Sequence, residues 1–314
     1  MNVRIWTYAA WSLAGVALAM PRLAPAQATR NAPVFVSLDQ QLESGGIKLS
    51  GGKAANPDDW KSIATSITET EKCTASLVGP QVIATSAHCL DGSPAAPVAM
   101  VLQGTIVFGS KTFAYSSCAI HPDYAKAPAN GGMPRNGRDY GLCRLDRPVP
   151  DVDPETIAPD GLADGGAVVL LGLGCTGLKI VNGRVKPDYD PPGKPVLRIG
   201  DQRIAKTAQA LGQSGATLAV TFSKAGEPNV CPGDSGGPVL VGVKATKPTR
   251  GRLVAGFNAA FDATFSSLGG SVVFKSYLAP AGTSFRNWAR AWSDAQGVTI
   301  CGIQVVAGIA GCRL

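Results

Sequence analysis

Apolar residues along this chain come in short runs broken by Gly, Pro, Asn and Asp, and the runs read as strands. The stretch "ASLVGPQVIATSAHC" predicts two strands about the Gly79-Pro80 turn, and "MVLQGTIVFGSKTFAYSSC", "AVVLLGLGC", "GPVLVGV" and "RLVAGFNAAF" predict further ones. The stretches 127–137 and 186–195, rich in Pro and Gly, read as exposed loops. Helical spacing is convincing once, in "TSFRNWARAWSDAQG", with Thr283 or Ser284 as its cap and Gly297 as its stop. Many short strands and one late helix predict β-barrels or a sandwich, and no internal repeat is visible.

One apolar run differs from the rest. It extends from Ile5 to Met20 behind Arg4 and is followed by small residues that allow cleavage after Ala26 or Ala28. Its 16 residues are fewer than the ~20 of a membrane span, so residues 1–28 are expected to be a signal peptide and the protein to be secreted or periplasmic. No later segment is long and apolar enough for a span, so no membrane partner is expected after signal cleavage.

At 314 residues, 45% hydrophobic and 16% charged, the chain can form one large domain or two small ones. Its net charge of +7 is scattered, with no basic cluster to track a phosphate backbone, which excludes nucleic acid as a partner. Eight cysteines in an exported chain suggest disulfides. No C-x-x-C occurs and the only histidines are His88 and His121, so neither a metal nor any other cofactor is expected. Any histidine-dependent chemistry must use one of those two.

The stretch "NVCPGDSGGPVLVGV", residues 229–243, sets Ser235 among glycines that let backbone N–H groups approach a ligand. A serine hydroxyl is a weak nucleophile until an imidazole takes its proton, and the imidazole needs a buried carboxylate to fix its tautomer. His88 in "ATSAHC" and Asp139 in "GRDYGLCRL" are the candidates for these partners. Asp123 and Asp146 lie near Asp139, but only Asp139 directly precedes a short apolar strand. His121, in "AIHPDY", reads as part of a surface turn. "GDSGG" also fits the nucleophile elbow G-x-S-x-G, but there the histidine follows the serine, and none follows Ser235. An acid-first order would fall to Asp58 or Asp59, both in the turn-like "NPDDW".

With "TSAHC", "DYGLCRL" and "GDSGGP" in that order, residues 49–296 resemble the trypsin/chymotrypsin family of serine endopeptidases. The resemblance implies an all-β fold of two six-stranded antiparallel β-barrels, the active site in the cleft between them, and a C-terminal α-helix. By motif, His88 is the general base, Asp139 orients it and Ser235 is the nucleophile, with the N–H groups of Gly233 and Ser235 as the oxyanion hole. "LSGGKAANPDDW" resembles the family's mature start, so Leu49 would supply an amine to Asp234, and residues 29–48 would be a propeptide removed by an activating protease after Lys48. Asn229 stands at the pocket floor, where trypsin-like enzymes carry an aspartate. The family's bridge beside the histidine implies Cys73–Cys89, and its barrel geometry implies Cys118–Cys143 and Cys175–Cys231. Cys301 and Cys312 are left to close a β-hairpin on the second barrel within the extension 297–314. The function implied is a secreted serine endopeptidase made as a zymogen and acting on protein or peptide substrates. A catalytically silent binding module of the same fold is the alternative.

Overall fold

In the computed structural model, residues 34–37, 51–67, 73–91, 104–108, 110–124, 137–181, 184–189, 196–207, 218–224, 226–247, 251–265, 272–304 and 312 are described. The expected signal peptide, Leu49 and nearly all of the 127–137 loop lie outside them. One compact unit begins at Ala32 and runs to the C-terminus, and no helix among the described residues is long and apolar enough to cross a membrane.

The first barrel is built from β3 (Ile63–Ile67), β4 (Thr74–Gly79), β5 (Val82–Thr85), β6 (Gly104–Phe108), β7 (Lys111–Ile120) and β8 (Gly141–Leu145). These six antiparallel strands run in the order β3-β4-β5-β8-β7-β6, and a seventh, β1 (Val34–Ser37), closes the ring between β6 and β3. The second barrel consists of β10 (Ala167–Gly172), β13 (Arg198–Thr207), β14 (Ala219–Lys224), β15 (Pro238–Val241), β16 (Leu253–Phe265) and β17 (Val272–Pro280). Its order is β10-β15-β16-β17-β14-β13, and β13 pairs back onto β10. Two short strands complete this sheet: β2 (Lys53–Ala54) on β13, and β9 (Thr156–Ile157) parallel to β16.

The run "AVVLL" lacks the alternation of a half-exposed strand because both faces of β10 are buried. Val168 and Leu170 pack with Ile204, Ala219, Val239 and Leu278. Val169 and Leu171 join a second cluster with Val78, Val82 and Tyr140 of the first barrel and Phe285 and Trp292 of the C-terminal helix. The helix, α2, spans Thr283–Gln296. Its N-cap is Gly282 rather than Thr283 or Ser284, and no side chain caps it. Gly297 ends it in the left-handed conformation at φ 64°, donating its N–H to Asp294. A residue with a Cβ adopts that conformation at a cost, so the glycine sets the stop.

Three further expectations are corrected. The stretch 186–195 opens as a strand: β12 (Arg184–Asp188) pairs antiparallel with β11 (Gly177–Val181), from Gly177 opposite Asp188 to Val181 opposite Arg184. His121 opens a turn whose Pro122 and Asp123 are exposed, its carbonyl accepting the Tyr124 N–H at 2.9 Å, but its own side chain is buried rather than at the surface. Its Nδ1 accepts the Asp123 N–H at 3.1 Å, its Nε2 meets Ser284 Oγ at 3.2 Å, and its ring stands edge-on to Tyr140. Burial holds this imidazole below its ordinary value, in keeping with a neutral ring pinned from both nitrogens. The tail is turn rather than strand through Gln304, and the rest of the expected hairpin lies outside the described residues apart from Cys312. Instead of lying on the second barrel alone, Cys301 donates to Val78 of β4 and accepts from Ile157 of β9.

Candidate active site

Three loops converge where the barrels meet. After β5 the chain enters a single helical turn, α1 (Ala87–Leu90), which carries His88. Asp139 immediately precedes Tyr140 and β8, the neighbour of β5, so the two residues leave adjacent strands at the same end. The imidazole Nδ1 of His88 lies 2.7 Å from Asp139 Oδ2, and the His88 backbone N–H donates to Oδ1 at 3.0 Å. Asp139 is fully buried whereas His88 is one-third exposed. Buried Tyr124 lies close enough for the Asp139 charge to add to burial in raising its phenol. Asp123 and Asp146 are taken up elsewhere, by Arg138 and Arg147.

Ser235 lies on the second barrel in the turn before β15, and its carbonyl faces Sγ of Cys89, the residue after His88, at 3.8 Å. Its carbonyl accepts the Thr74 N–H at 2.7 Å, and the Thr74 hydroxyl donates to the Gly233 carbonyl at 3.1 Å. Cys73, beside Thr74, is bonded to Cys89, beside His88. The start of β4 therefore fixes both the serine turn and the histidine turn. Gly236, at φ 79°, shows how closely the barrels meet: a Cβ there would lie 2.1 Å from Thr85 Oγ1. Among the described residues, the N–H groups of Gly233 and Ser235 donate to no backbone or side-chain acceptor. Sulfurs of Cys73 and Cys89 lie within 4.8 Å of a His88 ring nitrogen, but they are bonded to each other and leave no thiolate for a metal.

Asp234 anchors the turn from below. It is completely buried; Oδ1 accepts the Gly174 N–H at 2.7 Å and Oδ2 the Cys231 N–H at 2.9 Å. Gly174 and Cys231 are drawn together by the Cys175–Cys231 bridge. Burial pushes this carboxyl up to about 7, against the two N–H bonds and the charge of Arg198. Gly172, whose Cβ would collide with Asp234 Oδ1, pairs directly with the fully buried Arg198 of β13. Asp234 is therefore held near its titration midpoint at neutral pH. A buried acid of raised value contributes stability that is complete below its unfolded value of 3.8 and is lost as pH rises through about 7. Denaturant titrations of the full chain should show stability falling between about pH 4 and 7, and Asp234→Asn should abolish that slope.

Asn229 is fully buried, with its amide donating to the Glu227 carbonyl at 3.1 Å. Cys118–Cys143 ties β7 to β8 just beyond Asp139, and Cys301–Cys312 closes the tail. Two positioning residues escaped the sequence reading. Asn258 donates Nδ2 to the Leu171 and Asp234 carbonyls at 2.9 and 3.1 Å, locking the serine turn to β10. Thr74 is the other. The signal for Asn258 was available, since a lone amide inside "RLVAGFNAAF" must find partners when that strand is buried.

A family model described as "Trypsin" matches residues 49–261. The chain belongs to the trypsin family. It is 27% identical over 203 residues to a protein named "Trypsin" from Saccharopolyspora erythraea, an overlap covering 62% of this chain and 83% of that one. Among solved structures it resembles neuropsin, a serine protease expressed in the limbic system of mouse brain, with a TM-score of 0.51 at 16% identity. That match covers 76% of this chain and 97% of neuropsin. At that identity the likeness establishes the fold alone. Trypsin-family membership supports a serine protease that acts on peptide or protein substrates.

Proposed function

We propose that the protein is a secreted serine endopeptidase that cleaves peptide bonds through an acyl-enzyme on Ser235. The observation that carries the reading is the His88–Asp139 pair, 2.7 Å apart, with the Ser235 turn held beside it on β4. In this mechanism Ser235 Oγ attacks the scissile carbonyl while His88 Nε2 takes its proton. Asp139 keeps the other ring proton on Nδ1 and stabilises the imidazolium. The free N–H groups of Gly233 and Ser235 receive the developing oxyanion, each such donor being worth about 3 kcal/mol. His88 then hands its proton to the leaving amine, and water, deprotonated in turn by His88, releases the acid product.

Stoichiometric titration with a serine-directed organophosphonate tests this. One covalent label on Ser235, accompanied by loss of peptidase activity, is expected. A folded chain that takes no label is instead the silent module of the same fold.

The signal peptide and the eight cysteines support export, and the raised Asp234 supports a zymogen. An amine freed at Leu49 and brought to that carboxyl would favour its ionised form. Active material should therefore begin at Leu49 on N-terminal sequencing, and Lys48→Gln should slow its appearance.

Asn229 at the pocket floor leaves a cationic P1 side chain without a buried partner charge. Peptides with neutral P1 residues should be cleaved faster than Arg or Lys peptides. Asn229→Asp should move the preference toward the cations by at least tenfold in kcat/KM, as measured on matched peptides, since an ion pair is worth more than about 1.4 kcal/mol in such a site.

A further inference from the structure

The segment before the activation point is not an appendage to the first barrel but one of its strands. β1 pairs antiparallel with β3, from Val34 opposite Ile67 to Ser37 opposite Ala64. On its other side it runs parallel to β6, with Val34 opposite Thr105 and Phe35 opposite Ile106. The ring order joins β3 and β6 through it. Withdrawing β1 would leave two facing edges of unpaired N–H and C=O groups, the arrangement that captures an added strand. Its sequence, Val-Phe-Val-Ser, has the β-branched and aromatic character that strands favour.

Position in the sheet links β1 to the nucleophile. Val36 lies opposite Thr65, Thr65 lies opposite Thr74, and the Thr74 N–H holds the Ser235 carbonyl. One row of the sheet runs from the strand before the activation point to the serine turn.

We propose that residues 29–48 stay on the protein after cleavage at Lys48–Leu49, held by β1 as a non-covalent strand of the first barrel in the slot between β3 and β6. This inference builds on the cleavage assigned above but does not depend on catalysis. The segment contains no cysteine, so retention can only be non-covalent. A chain that has been cut is then a two-chain protein, and activation releases an amine without discarding the strand that closes the barrel.

The test uses the full chain carrying Ser235→Ala, to prevent self-digestion, with a recognition sequence for a highly specific protease placed directly before Leu49. After cutting, the protein is passed through size exclusion in native buffer and then in denaturant, and each fraction is weighed by mass spectrometry. The upstream peptide should co-elute with 49–314 in equal amount in native buffer and separate only in denaturant. Val36 lies opposite Thr65 in the β3 ladder of a strand that is flanked on both sides, and proline, which cannot donate to a ladder, is poorly tolerated inside such a strand. Val36→Pro should therefore release the peptide on cutting, while Val36→Ile should retain it. A wild-type peptide that elutes alone overturns the proposal, whatever the state of the remaining chain, and so does a Val36→Pro peptide that stays bound. Organophosphonate labelling of the active chain is read separately, so a failure here leaves the proposed chemistry standing.

Discussion

Replacing Ser235 with alanine is expected to lower kcat by roughly 10⁶-fold, with His88→Ala costing about as much and the double variant no more than either. The lack of additivity follows from the proposed mechanism. Ser235 is a nucleophile only while His88 takes its proton, so once either is gone the other has no step left to accelerate. Asp139→Asn should cost less, about 10⁴-fold, because Nδ1 would then face an amide instead of Oδ2 at 2.7 Å and the ring would favour the wrong tautomer. Each variant should leave KM for a peptide substrate nearly unchanged, since the strand edges and the pocket are untouched. A residual rate of roughly 10³ over water should survive from the oxyanion donors. Steady-state kinetics on purified, folded variants decide the matter. A Ser235→Ala enzyme that retained most of its activity would rule out the acyl-enzyme.

The site was legible wherever local sequence carries a steric or chemical obligation. Gly236 cannot be anything larger where β5 passes 2.1 Å from its absent Cβ, so "GDSGGP" announces itself at any distance. His88 was legible by scarcity, and Asp139 by the strand that follows it. The strands seen first were those buried on both faces, such as β10. By contrast β13, "RIGDQRIAKT", carries two large apolar residues in ten and hides a buried arginine, so its period gave no signal. The β11–β12 pairing carries little signal in sequence, because a stretch rich in Pro and Gly follows it directly. β1 was hidden for another reason: its place comes from strands distant in sequence, and a short apolar stretch before the proposed activation point reads as disposable. The same holds for His121, whose burial depends on α2, some 160 residues later.

Substituting Glu155 should be the most damaging change to stability that leaves the reacting groups alone. Glu155 and Arg252 form a bidentate pair, with Nε to Oε2 at 2.8 Å and Nη2 to Oε1 at 2.6 Å, and both side chains are essentially inaccessible to solvent. The Ser62 hydroxyl adds a bond to Oε1 at 2.5 Å, and the guanidinium sits 4.0 Å above the Trp60 ring. Trp60 and Ser62 lead into β3, Glu155 leads into β9, and Arg252 leads into β16, so the pair ties the entry of the first barrel to the second. Glu155→Leu removes one charge and strands the other beneath Trp60. Breaking such a pair costs about 3–5 kcal/mol, whereas replacing both members with apolar residues is often nearly neutral. Glu155→Leu should therefore lower Tm by on the order of 10 °C, and Glu155→Leu with Arg252→Met should recover most of the loss. Urea denaturation followed by tryptophan fluorescence measures both. A single-variant cost below about 1 kcal/mol would mean that Arg252 finds water or another acid when Glu155 is gone. A double variant no better than the single one would place the energy in the Trp60 stacking and the Ser62 bond rather than in the stranded charge.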